Sequence, residues 1–429
     1  MRSRITRRAA AKLGLAPLFV PAAALGLNGS TPASDRIALG FVGVGQRGVN
    51  NMRSFLAEPG CQVAAACDVD QNHLAGARDT ANTHNGNKDC RTYHEMEEVF
   101  ARSDIDAIVM SLPDHWHGIA SVQALQAGKD VFGEKPLSHN WAEARAIADA
   151  VARYGRVWQT GSWQRSHASF RFACELVRNG RIGKVTRVEV GLPGGHEDFD
   201  GLGHRNLPEK PPRELDYNRW LGPAPFAPYA PARVHRTWRW NFDYGGGMLL
   251  DWVGHHVDIA HWGLGMDDSG PEEVSATGEF STQNPIWNTP VAFRVEARYP
   301  GGAEVLISGG HDDIRLGAKF IGEEGWIWVD RAGLEAEPKS LLQSKIRGGE
   351  TRLYYSPGHF RNFLDCVKTR RAPVAAAETA LRSATPAYLG LISILTGRTI
   401  RWDPKKEKIV GDAVAERFLS RPMRSPWRL

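Results

Sequence analysis

Cysteine is scarce in this sequence, and acidic residues are missing from its first 34 positions. The 429 residues include five cysteines, with no CxxC spacing among them. A disulfide framework or a cysteine zinc cage is therefore not supported, because both need several closely spaced cysteines. No internal repeat and no low-complexity tract occurs, so the composition is that of a globular protein with two or three packed domains.

The missing acidic residues leave an excess of positive charge at the N-terminus. Lysine and arginine number 53 against 48 aspartates and glutamates, and the first acidic residue is Asp35. Five cations precede it: Arg2, Arg4, Arg7, Arg8 and Lys12. The rest of the chain is formally neutral, which argues against a nucleic-acid partner.

An uncharged stretch over residues 13–27 follows these cations and predicts an export signal within residues 1–34. At ~1.5 Å per residue this stretch spans about 22 Å, short of a ~30 Å bilayer core, and two prolines interrupt it. No stable membrane anchor is expected. The Arg7-Arg8 pair resembles a twin-arginine (Tat) signal, which implies transport of the folded protein to the periplasm or another extracytoplasmic space. A Sec signal is the alternative.

Buried apolar runs alternate with helix-compatible segments through the first part of the chain. This alternation predicts a doubly wound parallel α/β domain over residues 35–160. The runs are Ile37–Val42, Val63–Asp68, Ala107–Ser111, Asp130–Gly133 and Val157–Thr160.

From about residue 184 the pattern changes to strands of alternating polarity. It predicts an α+β domain over residues 161–429 with a large, mostly antiparallel sheet. A proline- and glycine-rich stretch over residues 191–231 is too long for a simple connection and is expected to be a functional loop.

A glycine-rich turn follows the first strand and opens a helix, as in dinucleotide-binding folds. In this context Gly43 allows the tight turn, Gly45 lets the backbone approach a pyrophosphate, and Gly48 permits close helix packing. Asp68, at the end of the next strand, is expected to accept hydrogen bonds from the adenine ribose and to repel a 2′-phosphate. NAD is therefore preferred over NADP. The turn comprises Gly43, Val44, Gly45, Gln46, Arg47 and Gly48.

Two further motifs, Ser111–His117 and Gly133–Leu137, lie where the third and fourth predicted parallel strands end. With the glycine turn, they resemble the Gfo/Idh/MocA family of oxidoreductases, and the resemblance extends over nearly all of the chain after the signal. It implies a Rossmann domain, an NAD cofactor and a sugar, glycoside or polyol substrate. The Glu134-Lys135-Pro136 segment is similar to the motif that lies against nicotinamide and substrate in this family. The residues expected near the cofactor are Ser111, Pro113, His117, Glu134 and Lys135.

The segment Gly245–Asp258 is similar to the glycine-rich stretch and helix that supply the catalytic groups of this family. Asp251 and His255 are four residues apart and share a helical face. Oxidation of a secondary alcohol needs a base for the hydroxyl proton, and histidine suits this task at neutral pH. We therefore assign His255 as the base, with Lys135 and Asp251 orienting the hydroxyl, although some members of the family use a tyrosine.

Seven tryptophans within residues 158–262 are consistent with a sugar site, because indoles stack on pyranose rings. Trp163 and Arg165 are expected to bind substrate, with His167 and Arg239 as further donors. The tryptophans are Trp158, Trp163, Trp220, Trp238, Trp240, Trp252 and Trp262.

An exported enzyme meets no free NAD pool, so tightly bound NAD is expected, together with a way to reoxidise it on the protein. Return of the hydride to the same sugar would allow redox-neutral glycoside cleavage, which is the first alternative function. A homo-oligomer through the C-terminal sheet is implied by the resemblance.

Two remote alternatives are a non-catalytic sugar-binding protein and a metal-dependent hydrolase. The second would use a cluster of metal-type ligands, although consecutive histidines diverge by about 100° on a helix. No metal is assigned. The cluster would be Asp251, His255, His256, Asp258 and His261.

Overall fold

A computed structural model describes residues 31–429. Nearly all of the predicted export signal lies outside the described residues. Within the described range, no helix is both long enough and apolar enough to cross a bilayer.

The first domain contains a six-stranded parallel sheet of order β3-β2-β1-β4-β5-β6. The predicted doubly wound fold is thus confirmed. Every residue of β1 is buried, as expected for a strand covered by helices on both faces. The strands are β1 (Ile37–Val42), β2 (Cys61–Cys67), β3 (Arg91–Tyr93), β4 (Ala107–Met110), β5 (Asp130–Gly133) and β6 (Trp158–Thr160).

Five helices connect these strands. The chain order reverses between β1 and β4, which makes the carboxyl ends of these strands the expected ligand-binding edge. The helices are α1 (Gln46–Leu56), α2 (Gln71–Asn85), α3 (Met96–Phe100), α4 (Asp114–Gln126) and α5 (Trp141–Tyr154).

The second domain is built on a nine-stranded sheet of order β13-β12-β11-β7-β10-β9-β8-β14-β15. Among the described strands of this second sheet, only β7 and β10 pair in parallel. The predicted, mostly antiparallel sheet is thus confirmed. The strands are β7 (Val185–Leu192), β8 (Glu273–Phe280), β9 (Pro290–Arg298), β10 (Glu304–Gly309), β11 (Gly317–Gly322), β12 (Gly325–Val329), β13 (Leu334–Glu337), β14 (Ile400–Asp403) and β15 (Lys408–Ile409).

The helices of the second domain join it to the first. Phe363 of α10 is fully buried and packs edge-on against Phe55 and Phe132, so this late helix completes the core of the first domain. The helices are α6 (Ala168–Arg178), α7 (Tyr217–Leu221), α8 (Gly247–Trp252), α9 (Asp258–Leu264), α10 (His359–Thr369), α11 (Ala377–Thr396) and α12 (Ala413–Glu416).

Residues 193–246, which we call the cleft loop, run from β7 to α8 with α7 as their only α-helix. Trp240 and Trp287 anchor this loop by ring contact 4.9 Å apart, and the Trp287 indole donates to the carbonyl of Ala232. The predicted functional loop is therefore packed against both domains.

Candidate active site

A cleft of about 880 Å³ lies between the two domains. Residues that directly follow β1, β2, β4 and β5 form its floor: Gly43, Asp68, Ser111 and Glu134. The facing wall consists of α8, the turn that follows it and the cleft loop. The cleft therefore occupies the ligand-binding edge of the parallel sheet.

The glycine turn has the form that a dinucleotide site needs. Gly43 has a φ of +78°, and a Cβ on Gly48 would lie 2.0 Å from the Gly43 carbonyl oxygen. Gly45 is the N-cap of α1 and provides no side-chain cap, so N–H groups of the first helical turn are available to an anion. These features fit the pyrophosphate of NAD.

Replacing Gly48 by alanine should weaken NAD binding by about tenfold or more, because the new methyl group must displace the turn from the α1 N-terminus. Titration calorimetry with NAD measures this loss. Gly76→Ala is the matched control, since a Cβ there meets nothing within 4 Å. Equal NAD affinity in Gly48→Ala and wild type would contradict this role.

Asp68 connects the glycine turn to the adenosine end of the cleft. Its Oδ2 accepts a hydrogen bond from the Val44 N–H at 2.7 Å, and its Oδ1 accepts from the Asp70 N–H at 2.9 Å. The hydrogen bond with Asp68 raises the pKa of His73, against the effect of burial. This carboxylate is thus oriented into the cleft as the sequence predicts.

Glu134 lies at the centre of a network beneath the middle of the cleft. Its Oε1 accepts from Arg47 Nε at 2.7 Å and from Asn51 Nδ2 at 2.9 Å. The Asn51 amide also donates to Ser111 Oγ at 3.1 Å. The network fixes the first helix against the ends of β4 and β5.

Lys135 belongs to the first domain, and its side chain contacts Asp251 in the second. Its ammonium donates to Asp251 Oδ1 at 2.9 Å and to the Asp251 carbonyl at 2.6 Å. Arg239 Nε donates to the same Oδ1 at 3.0 Å. Burial would raise the pKa of Asp251, but the charges of Lys135 and Arg239 outweigh it and hold the pKa well below its usual range. Asp251 is therefore ionised and bridges two cations.

His255 lies in a π-helical turn, Val253–Val257, that interrupts the helix between α8 and α9. Both Asp251 and His255 line the cleft, as their spacing predicts. The Nδ1 atom of His255 is buried and has no hydrogen-bond partner within the described residues. Burial, then the charges of Lys135 and Arg331, lower the pKa of His255 well below its usual range. Burial therefore favours the neutral imidazole, the form that a general base requires, and disfavours the imidazolium.

Asp114, at the start of α4, is a second buried carboxyl on the cleft wall. Burial and the nearby Asp251 carboxylate raise its pKa well above the usual value. Its Oδ1 lacks a hydrogen-bond partner among the described residues. The environment of Asp114 thus favours its protonated form, whereas the two cations beside Asp251 favour the carboxylate there.

The other predicted cofactor residues divide into two groups. Gln46, Arg47 and Pro113 line the cleft. His117 is turned away from it, with ring nitrogens 2.8 Å and 2.9 Å from the carbonyl oxygens of Pro136 and Leu112. His117 thus links two cofactor loops instead of reaching the ligand.

Arg165, predicted to bind substrate, does not reach the cleft. It is 2% exposed, and its guanidinium donates to both Asp258 and Asp267 at 2.7 Å. Arg165 lies in the core because Asp258 is turned inward after the π-helical turn, and a buried carboxylate needs a cation. His167, another predicted donor, is exposed outside the cleft and contacts Ser169.

The metal cluster considered from the sequence does not assemble. His256 Nδ1 lies 3.2 Å from the Gly191 carbonyl, and His261 Nε2 lies 2.6 Å from the Tyr299 hydroxyl. One group of three possible ligands does lie close together in the described chain: Asp70, His73 and His235, at the adenosine end.

Five of the seven tryptophans line the cleft, namely Trp163, Trp220, Trp238, Trp240 and Trp252, together with Trp116. Trp158 and Trp262 lie in the hydrophobic core instead. The indoles next to His255 are Trp163 and Trp252, with ring centroids 6.4 Å and 5.3 Å from the imidazole. An aromatic wall therefore adjoins the proposed base.

Stability should fall as pH is lowered below about 6.5, the ordinary pKa of histidine in an unfolded chain. Burial lowers the pKa of His256, His261 and His359 to about 4 and that of His115 to about 3. Between pH 6.5 and the lowered pKa of each histidine, the unfolded state thus binds more protons than the folded state. The free energy of unfolding then falls by about 1.4 kcal/mol per pH unit for each histidine.

Urea unfolding at pH 7.5 and 5.5 measures this loss. His261→Gln should make the free energy of unfolding less dependent on pH, because it removes one titrating group. Equal or greater stability at pH 5.5 in the wild type would contradict the assignment of these histidines as neutral.

Two family profiles together account for nearly all of the described chain. The NAD-binding Rossmann fold of the Gfo/Idh/MocA oxidoreductase family matches residues 37–162, and its C-terminal α/β domain matches residues 168–429. The chain belongs to the Gfo/Idh/MocA oxidoreductase family. The resemblance seen in the sequence is confirmed, and an NAD-type cofactor is consistent with the site described above.

Curated relatives of this Gfo/Idh/MocA protein are similar over a limited stretch. A "Glycosyl hydrolase family 109 protein" from Shewanella pealeana is 30% identical over 125 residues, which cover 28% of this chain and 27% of the relative. A second from Shewanella sp. (strain ANA-3) is 29% identical over 123 residues, with the same coverage. The chain thus spans about a quarter of the length of these relatives.

Solved structures share the fold over most of both chains. Aldose-aldose oxidoreductase from Caulobacter crescentus, complexed with glycerol, is 19% identical with a TM-score of 0.62 and covers 85% of this chain and 99% of its own. Myo-inositol 2-dehydrogenase from Lactobacillus plantarum is 17% identical with a TM-score of 0.61 and the same coverage. The two-domain architecture is common to all three.

Sequence reasoning missed several residues that lie in or directly beneath the cleft of this Gfo/Idh/MocA protein. Asn51 could have been found, because it lies four residues after Arg47 on the same helical face. Asp114 stands within a motif but had no assigned role. Arg331 carried no signal, because it lies in a turn between β12 and β13, far along the chain from the other site residues.

Proposed function

We propose that this protein transfers a hydride between a secondary hydroxyl of a sugar, glycoside or polyol and NAD. The observation that carries the proposal is the convergence of Lys135, Asp251 and a neutral His255 in the cleft that follows the glycine turn. The tryptophan wall beside His255 fits the C–H faces of a sugar ring.

The glycine turn and the α1 N-terminus would hold the cofactor pyrophosphate, and Asp68 would accept hydrogen bonds from the adenine ribose. Asp68 favours NAD over NADP because its carboxylate repels a 2′-phosphate. When bound, NAD supplies the acceptor for the hydride that leaves the substrate carbon.

The protein's own side chains handle the proton and the oxygen. Lys135 donates a hydrogen bond to the reacting oxygen, while Asp251 keeps the ammonium in position. His255 takes the hydroxyl proton as the carbonyl forms. The alcohol thereby loses one hydride from carbon and one proton from oxygen, and the product is a keto sugar.

We further propose that NAD stays tightly bound and that the precursor is exported by the Tat route. Both follow from the N-terminal charge pattern, and a homo-oligomer through the C-terminal sheet remains a prediction from the family. Mass spectrometry of the native purified protein tests cofactor retention. One NAD per chain is the expected result, whereas a protein that contains no dinucleotide and binds none would overturn the proposed function.

Redox-neutral glycoside cleavage is the second candidate, favoured by the relatives named glycosyl hydrolase family 109. In this case oxidation acidifies the neighbouring C–H bond, loss of that proton expels the glycosidic group, water adds to the double bond that forms, and the hydride then returns to the carbonyl carbon. Incubation with aryl glycosides separates the two reactions. A keto sugar supports net oxidation, whereas released aglycone without net cofactor reduction supports cleavage.

A further inference from the structure

Arg331 differs from every other arginine of the cleft. Arg47, Arg219, Arg236 and Arg239 also line the cleft, and each forms an ion pair with an aspartate or glutamate. Arg331 has no carboxylate within ion-pair distance and no hydrogen bond among residues 31–429. Its five N–H donors are free for a ligand.

Two tryptophans hold the Arg331 guanidinium beside the proposed base. The guanidinium carbon lies 4.8 Å from the ring centroids of both Trp163 and Trp252. The same two indoles contact the His255 ring. The two indoles restrict the guanidinium, and Arg331 is exposed, so its N–H groups are accessible for bidentate binding of a carboxylate or a phosphate.

The charges around this position leave an unbalanced cation. Glu134 is paired with Arg47, and the single carboxylate of Asp251 is paired with both Lys135 and Arg239, which leaves one positive charge in excess there. These carboxylates are therefore already paired before Arg331 is considered. Partial desolvation and the charge of Arg47 lower the pKa of Arg331, whereas the buried Arg165, paired with two carboxylates, has a raised pKa.

We propose that Arg331 binds an anionic group on the sugar substrate, so that the enzyme prefers an acidic sugar, such as a uronate or a sugar phosphate, to a neutral one. The oxidation of an acidic sugar rests on the proposed function, whereas its preferential binding at Arg331 does not. Arg331 is a specificity-determining residue, because the hydride and proton transfers use other groups.

Equilibrium binding to the NAD-loaded protein tests the inference with methyl glucuronide, glucose 6-phosphate and methyl glucoside as probes. We expect at least one acidic probe to bind about tenfold or more tightly than the glucoside. Arg331→Ala should remove this preference, and Arg331→Lys should retain part of it, because a point charge lacks the planar fork. Arg315→Ala is the matched control, since Arg315 stacks on Trp328 but pairs with Glu335 outside the cleft.

Two results would overturn the inference. One is equal affinity of wild type for acidic and neutral probes. The other is a loss of NAD affinity in Arg331→Ala with unchanged probe preference, which would assign the guanidinium to the cofactor pyrophosphate. Failure of the proposed function would give a different result: acidic probes would bind selectively but would not be oxidised.

Discussion

Replacing His255 by asparagine should lower turnover by about 10²- to 10⁴-fold while NAD stays bound, because the reaction loses its general base. Steady-state oxidation of a sugar substrate measures turnover, and absorbance of the purified variant reports the cofactor. Since burial lowers the pKa of His255 well below its usual value of 6.5, the wild-type rate should show no decline around pH 6.5 and should fall only at lower pH.

His256→Asn is the matched control for this variant. His256 is the adjacent buried histidine, but its Nδ1 faces the Gly191 carbonyl and it does not line the cleft. Asparagine can replace that contact, so turnover should remain close to wild type. If His255→Asn and His256→Asn had the same turnover, His255 would not be the base.

Replacing Lys135 by methionine should lower turnover by about 10²-fold or more and leave NAD content unchanged. The reacting oxygen loses its hydrogen-bond donor, and Asp251 keeps only Arg239 as a cation partner. Loss of one partner of a buried ion pair also destabilises the fold, commonly by about 3–5 kcal/mol when the pair is fully buried and less where another cation remains.

The double variant Lys135→Met, Asp251→Asn separates these two effects. It removes the Asp251 carboxylate together with the ammonium, keeps an amide that can still accept from Arg239, and should not recover turnover, because the donor to the reacting oxygen is missing. Turnover restored along with stability would show that Lys135 acts only as a structural partner of Asp251.

The fold could be predicted because its signals are local. The alternation of apolar runs with helical segments located every strand of the parallel sheet except the short, largely exposed β3. The glycine turn could be assigned because Gly43 and Gly48 approach each other within a few residues, where spacing alone limits the geometry.

The site was only partly predictable, because several of its contacts join distant segments. Asp251 and His255 share a face, but the π-helical turn that carries His255 has no sequence signal. The sequence predicts Arg165 as a donor to substrate within the tryptophan-rich stretch, whereas in the structure its guanidinium pairs with the inward-turned Asp258 in the core. Residue types and spacing do not show which carboxylate a given arginine will meet.

A single-turnover measurement on the NAD-loaded protein tests most directly whether a sugar transfers hydride to bound NAD with His255 as the base. The enzyme is mixed with a panel of neutral glycosides, acidic sugars and polyols, and absorbance at the NADH band is followed. We expect reduction of bound NAD by at least one sugar in wild type and slow or absent reduction in His255→Asn. Reduction at equal rates in both proteins, or by no member of the panel, would contradict it.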